Sequence, residues 1–349
     1  MNNETWQQLL SLESRDVTSK WFGEIHSLEL NARRTKEINS AAKQAREYFR
    51  NAANSNYSVR PLLTFYGVAS LSRALLLLLK KSGGEETLTG SHGLETVAWA
   101  DSMSGDVAKG LKNLGSLKVR TCRGLFADFI TQTENRLSVH VNTSAVDWHV
   151  CYDIPELGKE LSVKDILSRL PDLRRDFEVI SKSYKYSDIS EMTYSDAKGF
   201  RAKVRKEPFN PMRSHFEQVG YSLTDENEMV VIASDSVTFA ENLPLFVHSY
   251  IHKTFGTIPS LHISEPFHGN SNYSQLCITY MTSYILGMLV RYYPTHWMAL
   301  SSGDKGDEWW PLINRSQQYV EHAFPELVIE LINDILKKSK QSQGSQPNA

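Results

Sequence analysis

The stretch that decides the fold is residues 61–81, which read PLLTFYGVASLSRALLLLLKK. Pro61 suits the first turn of a helix because its missing N–H would be unpaired there in any case. The segment is apolar on nearly every side, so it predicts a helix buried at the centre of a core. Its polar members, Tyr66, Ser70 and Arg73, either pair inside the protein or face a cavity.

Helical periodicity continues on both sides of this central segment. Apolar residues recur mostly at three- or four-residue steps over residues 6–28, and residues 40–53 place small and aromatic side chains on one face. Near the other end, residues 272–293 predict a further apolar helix. Residues 316–338 are amphipathic, and we expect Pro325 to divide them into two helices.

The middle of the chain carries strand signals instead. Alternation or β-branched enrichment marks residues 117–130, 136–142, 177–186, 190–204, 228–234 and 260–264. A short helix is predicted for residues 163–170, and residues 237–255 fit either a helix or an irregular apolar segment. Residues 83–115 are rich in Gly, Ser and Thr and predict a loop with one short helix.

These elements predict an α+β fold in which the N- and C-terminal helices pack as one helical unit and the strand-rich middle is an insertion. The expected boundaries are 1–115 for the helical N-terminal part, 116–268 for the strand-rich part and 269–338 for the C-terminal helices. Residues 339–349 contain little besides Ser, Gln, Gly, Pro and Lys, so we expect a disordered tail.

Composition narrows the class of protein. The 349 residues include 38 basic and 40 acidic side chains, and this balance provides no global field toward nucleic acid or an anionic membrane. The three cysteines are scattered and form no C-x-x-C pair, which favours free thiols in a reducing compartment over a zinc site. The N-terminus shows no secretory pattern and the longest apolar run is too short for a membrane span. We therefore expect a cytoplasmic protein with no membrane partner.

Several stretches together resemble a known family. They are residues 45–49 (AREYF), 60–75 (RPLLTFYGVASLSRAL), 91–94 (SHGL), 161–173 (LSVKDILSRLPDL) and 286–294 (LGMLVRYYP) with Trp297. In this order they are similar to the YaaC-like family of bacterial proteins. That family carries no assigned chemistry, so the resemblance implies kinship and leaves the activity open. The N-terminal pattern also resembles helical HEPN-type domains, which occur in RNA-cleaving toxins and defence proteins.

One short motif would suit RNA cleavage. Arg291 and His296 are separated by four residues, within the four-to-six spacing of HEPN ribonucleases. The cation would hold the phosphate and the imidazole would move the 2′-hydroxyl proton. In the alternative interpretation, Arg291 offsets the carbonyls at the end of its helix and His296 is an ordinary loop residue. Arg315 and His322 match the same pattern on an amphipathic helix surface.

A second candidate site lies beside the central helix. His92 falls in the predicted loop and either meets Tyr66 and Arg73 in a small-molecule pocket or is a turn residue whose neighbour Gly93 supplies a positive φ. Tyr66, Arg73 and His92 are therefore the candidate ligand-binding residues.

The remaining sequence motifs do not identify a cofactor, metal or nucleic-acid site. Phosphate-loop, dinucleotide, nucleophile-elbow and zinc-helix motifs do not occur in the sequence, so we expect neither a cofactor nor a metal. His248 and His252 have helical metal spacing but no third ligand. Residues 182–206 interleave basic and aromatic side chains, which suits either single-stranded nucleic acid or a solvent-facing ribbon.

The sequence thus predicts a YaaC-like cytoplasmic protein that works through binding, as a binding or sensor subunit of a larger bacterial assembly. Its expected partner is another protein or a second copy of itself, and nucleic acid is not favoured. A role in antiviral defence is implied only by the distant resemblance. The alternative is a HEPN-like RNA-cleaving effector that uses Arg291 and His296, and whether the protein is an enzyme stays open.

Overall fold

The computed structural model describes residues 3–137, 150–246, 249–250 and 261–344. The chain divides into two compact units. The first comprises Met1–Thr133, Glu156–Val163 and Leu276–Ala349, and the second comprises Glu134–Pro155 and Lys164–Gln275. Helices dominate the first unit and the larger sheet lies in the second, which confirms the predicted α+β class.

Helices account for most of the described chain. In order they are α1 (Asn3–Leu9), α2 (Arg15–His26), α3 (Ala32–Ala53), α4 (Arg60–Leu79), α5 (Trp99–Ser102), α6 (Val107–Lys112), α7 (Leu125–Gln132), α8 (Val163–Leu167), α9 (Arg174–Ile180), α10 (Lys206–Phe209), α11 (Arg213–Gln218), α12 (Ser236–Glu241), α13 (Leu243–Phe246), α14 (Gln275–Tyr292), α15 (Pro294–Ser301) and α16 (Trp310–Gly344).

The strands form two antiparallel sheets. They are β1 (His92–Val97), β2 (Lys118–Gly124), β3 (Glu160–Ser162), β4 (Tyr186–Ser195), β5 (Gly199–Arg205), β6 (Ser222–Glu226), β7 (Met229–Ser234), β8 (Ser249–Tyr250) and β9 (Leu261–Ser264). The small sheet of the first unit has the order β1-β2-β3. The sheet of the second unit has the order β6-β7-β5-β4-β9-β8.

Helix α4 forms the core of the first unit, as its all-round apolarity predicts. Its residues from Phe65 to Leu78 are nearly all buried, and α3 packs along it. The carbonyls at its C-terminal end are bonded by side chains: the Arg34 guanidinium donates to Leu77 O over 2.7 Å and to Lys80 O, and His26 Nε2 lies 2.9 Å from Leu78 O. These bonds satisfy carbonyls that a helix end leaves unpaired.

One described helix is long and apolar enough to cross a membrane, and it is α4. However, 67% of its most apolar window is buried within the protein. Because its apolar surface is already covered by α3 and other neighbours, packing explains the composition of this helix.

The small sheet corrects two predictions. Residues 83–115 were expected to form a loop with one short helix, but β1 lies there and pairs with β2. Residues 117–130 were expected to form one strand, but β2 ends at Gly124 and α7 follows. Phe126 and Phe129, three residues apart, are both buried, so helical spacing governs the second half of that stretch.

In the second unit the predictions for residues 190–204, 228–234 and 260–264 are confirmed by β4 and β5, β7 and β9. The prediction for residues 177–186 is wrong, because α9 continues to Ile180 and the strand begins only at Tyr186. Residues 237–255 contain α12 from its second residue, all of α13 and β8, and residues 247–248 and 251–255 lie outside the described residues. Of residues 136–142, Arg136 pairs with Cys151 in an isolated bridge, and residues 138–142 lie outside the described residues.

The second unit has an apolar core on one face of its sheet. Phe200 and Phe239 stack with ring centroids 4.2 Å apart, and Val204 and Ile232 are fully buried beside them. On the other face, basic residues of the β4–β5 hairpin pair with carboxylates: Lys203 Nζ lies 3.3 Å from a Glu226 oxygen. This pairing agrees with the solvent-facing ribbon interpretation of residues 182–206.

Helix α16 is longer than expected. Pro325 lies inside it instead of dividing it, and the helix continues to Gly344. Phe324 and Leu327 on either side of the proline are fully buried, so packing offsets the hydrogen bond that proline cannot donate. Residues 339–344, expected to be disordered, are therefore helical, and Gln and Lys in this stretch are good helix formers. Residues 345–349, His248 and His252 lie outside the described residues.

Candidate functional site

Helix α4 presents two of the predicted site residues on one face. Tyr66 and Arg73 are seven residues apart, about two turns, so they lie along the same side. Tyr66 is half-buried and Arg73 is exposed. Between them, the buried Ser70 donates from Oγ to Gln44 Oε1 of α3 over 3.1 Å. Ser70 thus pairs inside the protein, while the two larger side chains reach the surface.

Arg291 meets this face from the last turn of α14. Its Nη1 donates to the Tyr66 hydroxyl over 3.2 Å, and its guanidinium carbon lies 5.1 Å from the ring centroid of Tyr292. The side chain is otherwise exposed. The guanidinium is therefore held by a phenol from another helix, a role that neither sequence interpretation of Arg291 included.

His92, the first residue of β1, completes the group. Its half-buried imidazole packs edge-on to the ring of Phe65, with centroids 5.0 Å apart, and lies 6.1 Å from the ring of Tyr284. Burial lowers the pKa of His92 below its ordinary value, and the positive charges of Arg291 and Arg73 lower it further. The surroundings of His92 therefore favour its neutral form. We call Tyr66, Arg73, His92 and Arg291 the Arg291 cluster.

A close backbone approach fixes the position of His92. Gly93 has φ +78 and forms a bulge in β1 opposite Gly124, whose φ is +150. A Cβ built on Gly124 would lie 2.2 Å from Gly93 N, so only glycine fits there. The positive φ expected at Gly93 is confirmed, but it serves a strand bulge and not a turn. The hydroxyl of the buried Tyr280 also donates to the His92 carbonyl oxygen over 3.5 Å.

The cluster is electropositive. Within the described part of the chain, neither Arg73 nor Arg291 forms an ion pair with a carboxylate, although many other arginines do. Guanidinium, phenol and imidazole groups can all donate hydrogen bonds to an anion. Guanidinium groups bind planar or tetrahedral oxyanions through paired N–H donors.

His296 lies in different surroundings. It belongs to α15, is 9% exposed, and its Nε2 would be 2.8 Å from a Cβ built on Gly110 of α6. Burial lowers the pKa of His296. Since the Arg291 guanidinium contacts Tyr66 and the His296 ring contacts Gly110 and Tyr293, the structure gives the two residues different neighbours. Their joint catalytic role stays a prediction.

Three of the stretches that resemble a known family meet at the Arg291 cluster: residues 60–75 supply Tyr66 and Arg73, 91–94 supply His92, and 286–294 supply Arg291. The model of the YaaC-like Protein family matches residues 4–332, which is nearly the whole chain. The chain belongs to the YaaC-like family. Neither the curated proteins nor the solved structures compared with it include a significant match.

Sequence reasoning missed the aromatic residues that support the site of this YaaC-like chain. Tyr284, like Phe65, packs against the His92 ring, and Tyr48 lies 5.6 Å from the ring of Tyr66. The sequence could have indicated Tyr284, because it precedes Arg291 by seven residues and so lies on the same face of α14. No group of three or more His, Cys, Asp or Glu side chains that could hold a metal occurs among the residues described.

Proposed function

We propose that this YaaC-like protein is a cytoplasmic binding or sensor subunit that recognises a phosphate-bearing small molecule, such as a nucleotide, at the Arg291 cluster. The observation that carries the proposal is that Arg73 and Arg291, neither paired with a carboxylate among the described residues, both lie near enough to the half-buried His92 for their charges to lower its pKa. A site with excess positive charge and no acidic partner favours an anion.

The chemistry of the donors favours phosphate. The Arg291 guanidinium has N–H groups left over after its one bond to Tyr66, and a guanidinium offers five in a planar fork. Because His92 is partly desolvated, charges beside it interact more strongly than they would in bulk water. The exposed ring of Tyr292, 58% accessible, offers an apolar surface beside Arg291 on which a base could stack.

The same geometry favours binding over turnover. Within the cluster, the one side-chain hydrogen bond runs from Arg291 to Tyr66, and both groups are donors toward an anion. Covalent catalysis uses a side-chain nucleophile activated by an adjacent general base, and the hydrogen bond within the cluster does not form such a pair. We therefore favour a subunit that reports ligand occupancy to a protein partner or to a second copy of itself.

A thermal-shift panel tests this function. The purified full chain is heated with ATP, GTP, AMP, NAD or inorganic phosphate, alone and at raised salt. At least one nucleotide should raise the melting temperature more than phosphate does, since ligand that binds only the folded state stabilises it. The shift should shrink with salt. A panel in which no nucleotide shifts the melting temperature would contradict the proposal.

A further inference from the structure

The second unit contains a cavity of about 200 Å³. On one side lie Met212, His215 and Phe216, from the start of α11 and the turn before it. On the other side lie Phe267 and Asn272, from the segment that follows β9. The space is separate from the Arg291 cluster, which lies wholly in the first unit.

Two polar atoms that border this cavity are buried and lack hydrogen-bond partners within the described part of the chain: Nε2 of His215 and Oδ1 of Asn272. A buried polar atom without a hydrogen-bond partner destabilises the folded protein. Most such atoms in folded proteins are paired with protein or with an ordered molecule. Because these two line the same cavity, one occupant can satisfy both.

The wall that carries Asn272 is held rigidly. Asn135, which is fully buried, donates from Nδ2 to the Asn272 carbonyl over 2.9 Å and to Asp153 O over 3.0 Å. Its Oδ1 accepts from Ser274 N over 2.8 Å. The backbone around Asn272 is thus fixed while its side-chain oxygen stays unpaired.

The wall that carries Phe267 is equally constrained. Arg169, 3% exposed, stacks its guanidinium carbon 3.8 Å from the Phe267 ring centroid. It also donates to the carbonyls of Glu265 and Pro266, each over 2.8 Å. Burial lowers the pKa of Arg169 to about 10, so it remains charged at neutral pH. The turn that follows is closed by Phe267 N donating to Ser271 O over 2.8 Å.

The lining limits the chemistry of an occupant. None of the described lining side chains is Asp, Glu, Lys or Arg, so a charged molecule would find no counter-charge. Phe216, Phe267 and Met212 present flat or adaptable apolar surface. The volume is below the 300–1,000 Å³ range of drug-sized sites, so it suits a molecule of one or two rings.

We propose that this cavity binds a small neutral heteroaromatic molecule of nucleobase size, which donates a hydrogen bond to Asn272 Oδ1 and pairs with His215 Nε2. The Nε2 atom of His215 is a hydrogen-bond donor or acceptor depending on the tautomer. The occupant therefore needs a donor facing Asn272 Oδ1 and either a donor or an acceptor facing His215. The proposal stands apart from the nucleotide site, because its residues, unit and ligand charge all differ.

Ligand-observed NMR and crystal soaking of the full chain test the inference. The probes are adenine, hypoxanthine, cytosine and nicotinamide, with toluene as an apolar control and benzoate as a charged one. At least one heteroaromatic probe should bind saturably and give density between His215 and Asn272. His215→Phe and Asn272→Leu should each weaken its binding at least tenfold, whereas His268→Phe, at an exposed position in the same segment, should not.

Circular dichroism and urea unfolding establish that each variant is folded, and if one fails to fold the other still decides the test. Preferential binding of toluene or benzoate would overturn the proposal, as would ordered water alone in the soaked cavity. Saturable binding that survives both cavity substitutions would place the ligand elsewhere and would overturn it too.

Discussion

Arg291 Nη1 donates a hydrogen bond to the hydroxyl of Tyr66 over 3.2 Å, joining residues that are 225 positions apart in the chain. The bond ties the end of α14 to the middle of α4 at the surface of the first unit. It leaves most of the guanidinium free for an external anion, and the charges of Arg291 and Arg73 both act on His92. The proposed ligand site depends on this junction.

Ligand binding should change the titration of His92. In the free protein, burial and the two arginines hold the pKa of His92 below its ordinary value. A phosphate group placed between the guanidiniums would offset their charge, so we expect the pKa of His92 to rise on binding. An NMR titration of the His92 ring proton with and without the nucleotide measures this. An unchanged or lowered pKa would place the ligand away from the cluster.

The lowered pKa of His92 also makes the free energy of unfolding depend on pH. Because the folded-state pKa of His92 lies below the ordinary 6.5, the unfolded chain binds more protons as pH falls through that value. Stability should therefore fall between pH 7.5 and 5.5, and burial of His26 and His296 acts in the same direction. Urea midpoints at the two pH values measure the loss. His92→Phe should reduce it, whereas His268→Phe, at an exposed position, should leave it unchanged.

Removing one partner of a buried ion pair should strongly destabilise the first unit. Arg60 donates from Nε to Glu321 Oε1 over 2.7 Å and from Nη2 to the other carboxylate oxygen, and Gln317 donates to the same carboxylate over 2.8 Å. Glu321 is 7% exposed. Glu321→Ala leaves the arginine charge half-buried without its partner, so we expect a loss of about 3–5 kcal/mol in urea unfolding.

The control for this prediction is Arg50→Ala, which removes an exposed ion pair with Glu47 and should cost less than about 1 kcal/mol. The paired change Arg60→Met with Glu321→Met should cost less than Glu321→Ala alone, because no buried charge is left over. Equal losses for Glu321→Ala and Arg50→Ala would show that the buried pair has no special role.

Close packing of α14 on α4 should be required for the site. A Cβ built on Gly287 would lie 2.9 Å from Phe65 Cβ, and Phe65 supports the His92 ring. Gly287→Ala should therefore destabilise the protein by about 1–3 kcal/mol despite the better helix propensity of alanine. It should also weaken nucleotide binding. Gly90→Ala, whose Cβ meets nothing within 4 Å, should change neither quantity.

RNA cleavage separates the binding account from the nuclease alternative. Since the His296 ring packs under Gly110 and the Arg291 guanidinium bonds to Tyr66, we expect no cleavage of total cellular RNA by the purified wild type. The His296→Ala protein should give the same gel pattern. Cleavage by the wild type that His296→Ala abolishes would establish the nuclease alternative and make Arg291 the next residue to change.

Much of the first unit followed from periodicity. The central helix, α3 and α14 were predicted because apolar side chains on a helix must repeat with its turn. The short strand β1 could not be predicted, because its partner β2 lies more than twenty residues away in the sequence. The sequence of β1 is also short and contains a glycine. Residues 177–180 of α9 were predicted as strand for a related reason: β-branched residues mark a strand only where neighbours pair with it.

The site was predictable in part. Tyr66, Arg73 and His92 were grouped because two of them lie on one helix and the third follows it in sequence, and their role in ligand binding stays a prediction. The bond from Arg291 to Tyr66 could not be predicted, because it depends on how α14 packs against α4. His296 follows Arg291 by one and a half turns in sequence, yet Pro294 starts a new helix between them, so their spacing does not fix a shared face.

The most direct test of the proposed function is a calorimetric titration of the nucleotide that gives the largest thermal shift into the wild type, Arg291→Gln and Arg33→Gln. Arg33 is 73% exposed on α3 and serves as the matched control. The account predicts at least tenfold weaker binding for Arg291→Gln, with Arg33→Gln like the wild type. Equal affinity in all three proteins would show that the Arg291 cluster does not hold the ligand.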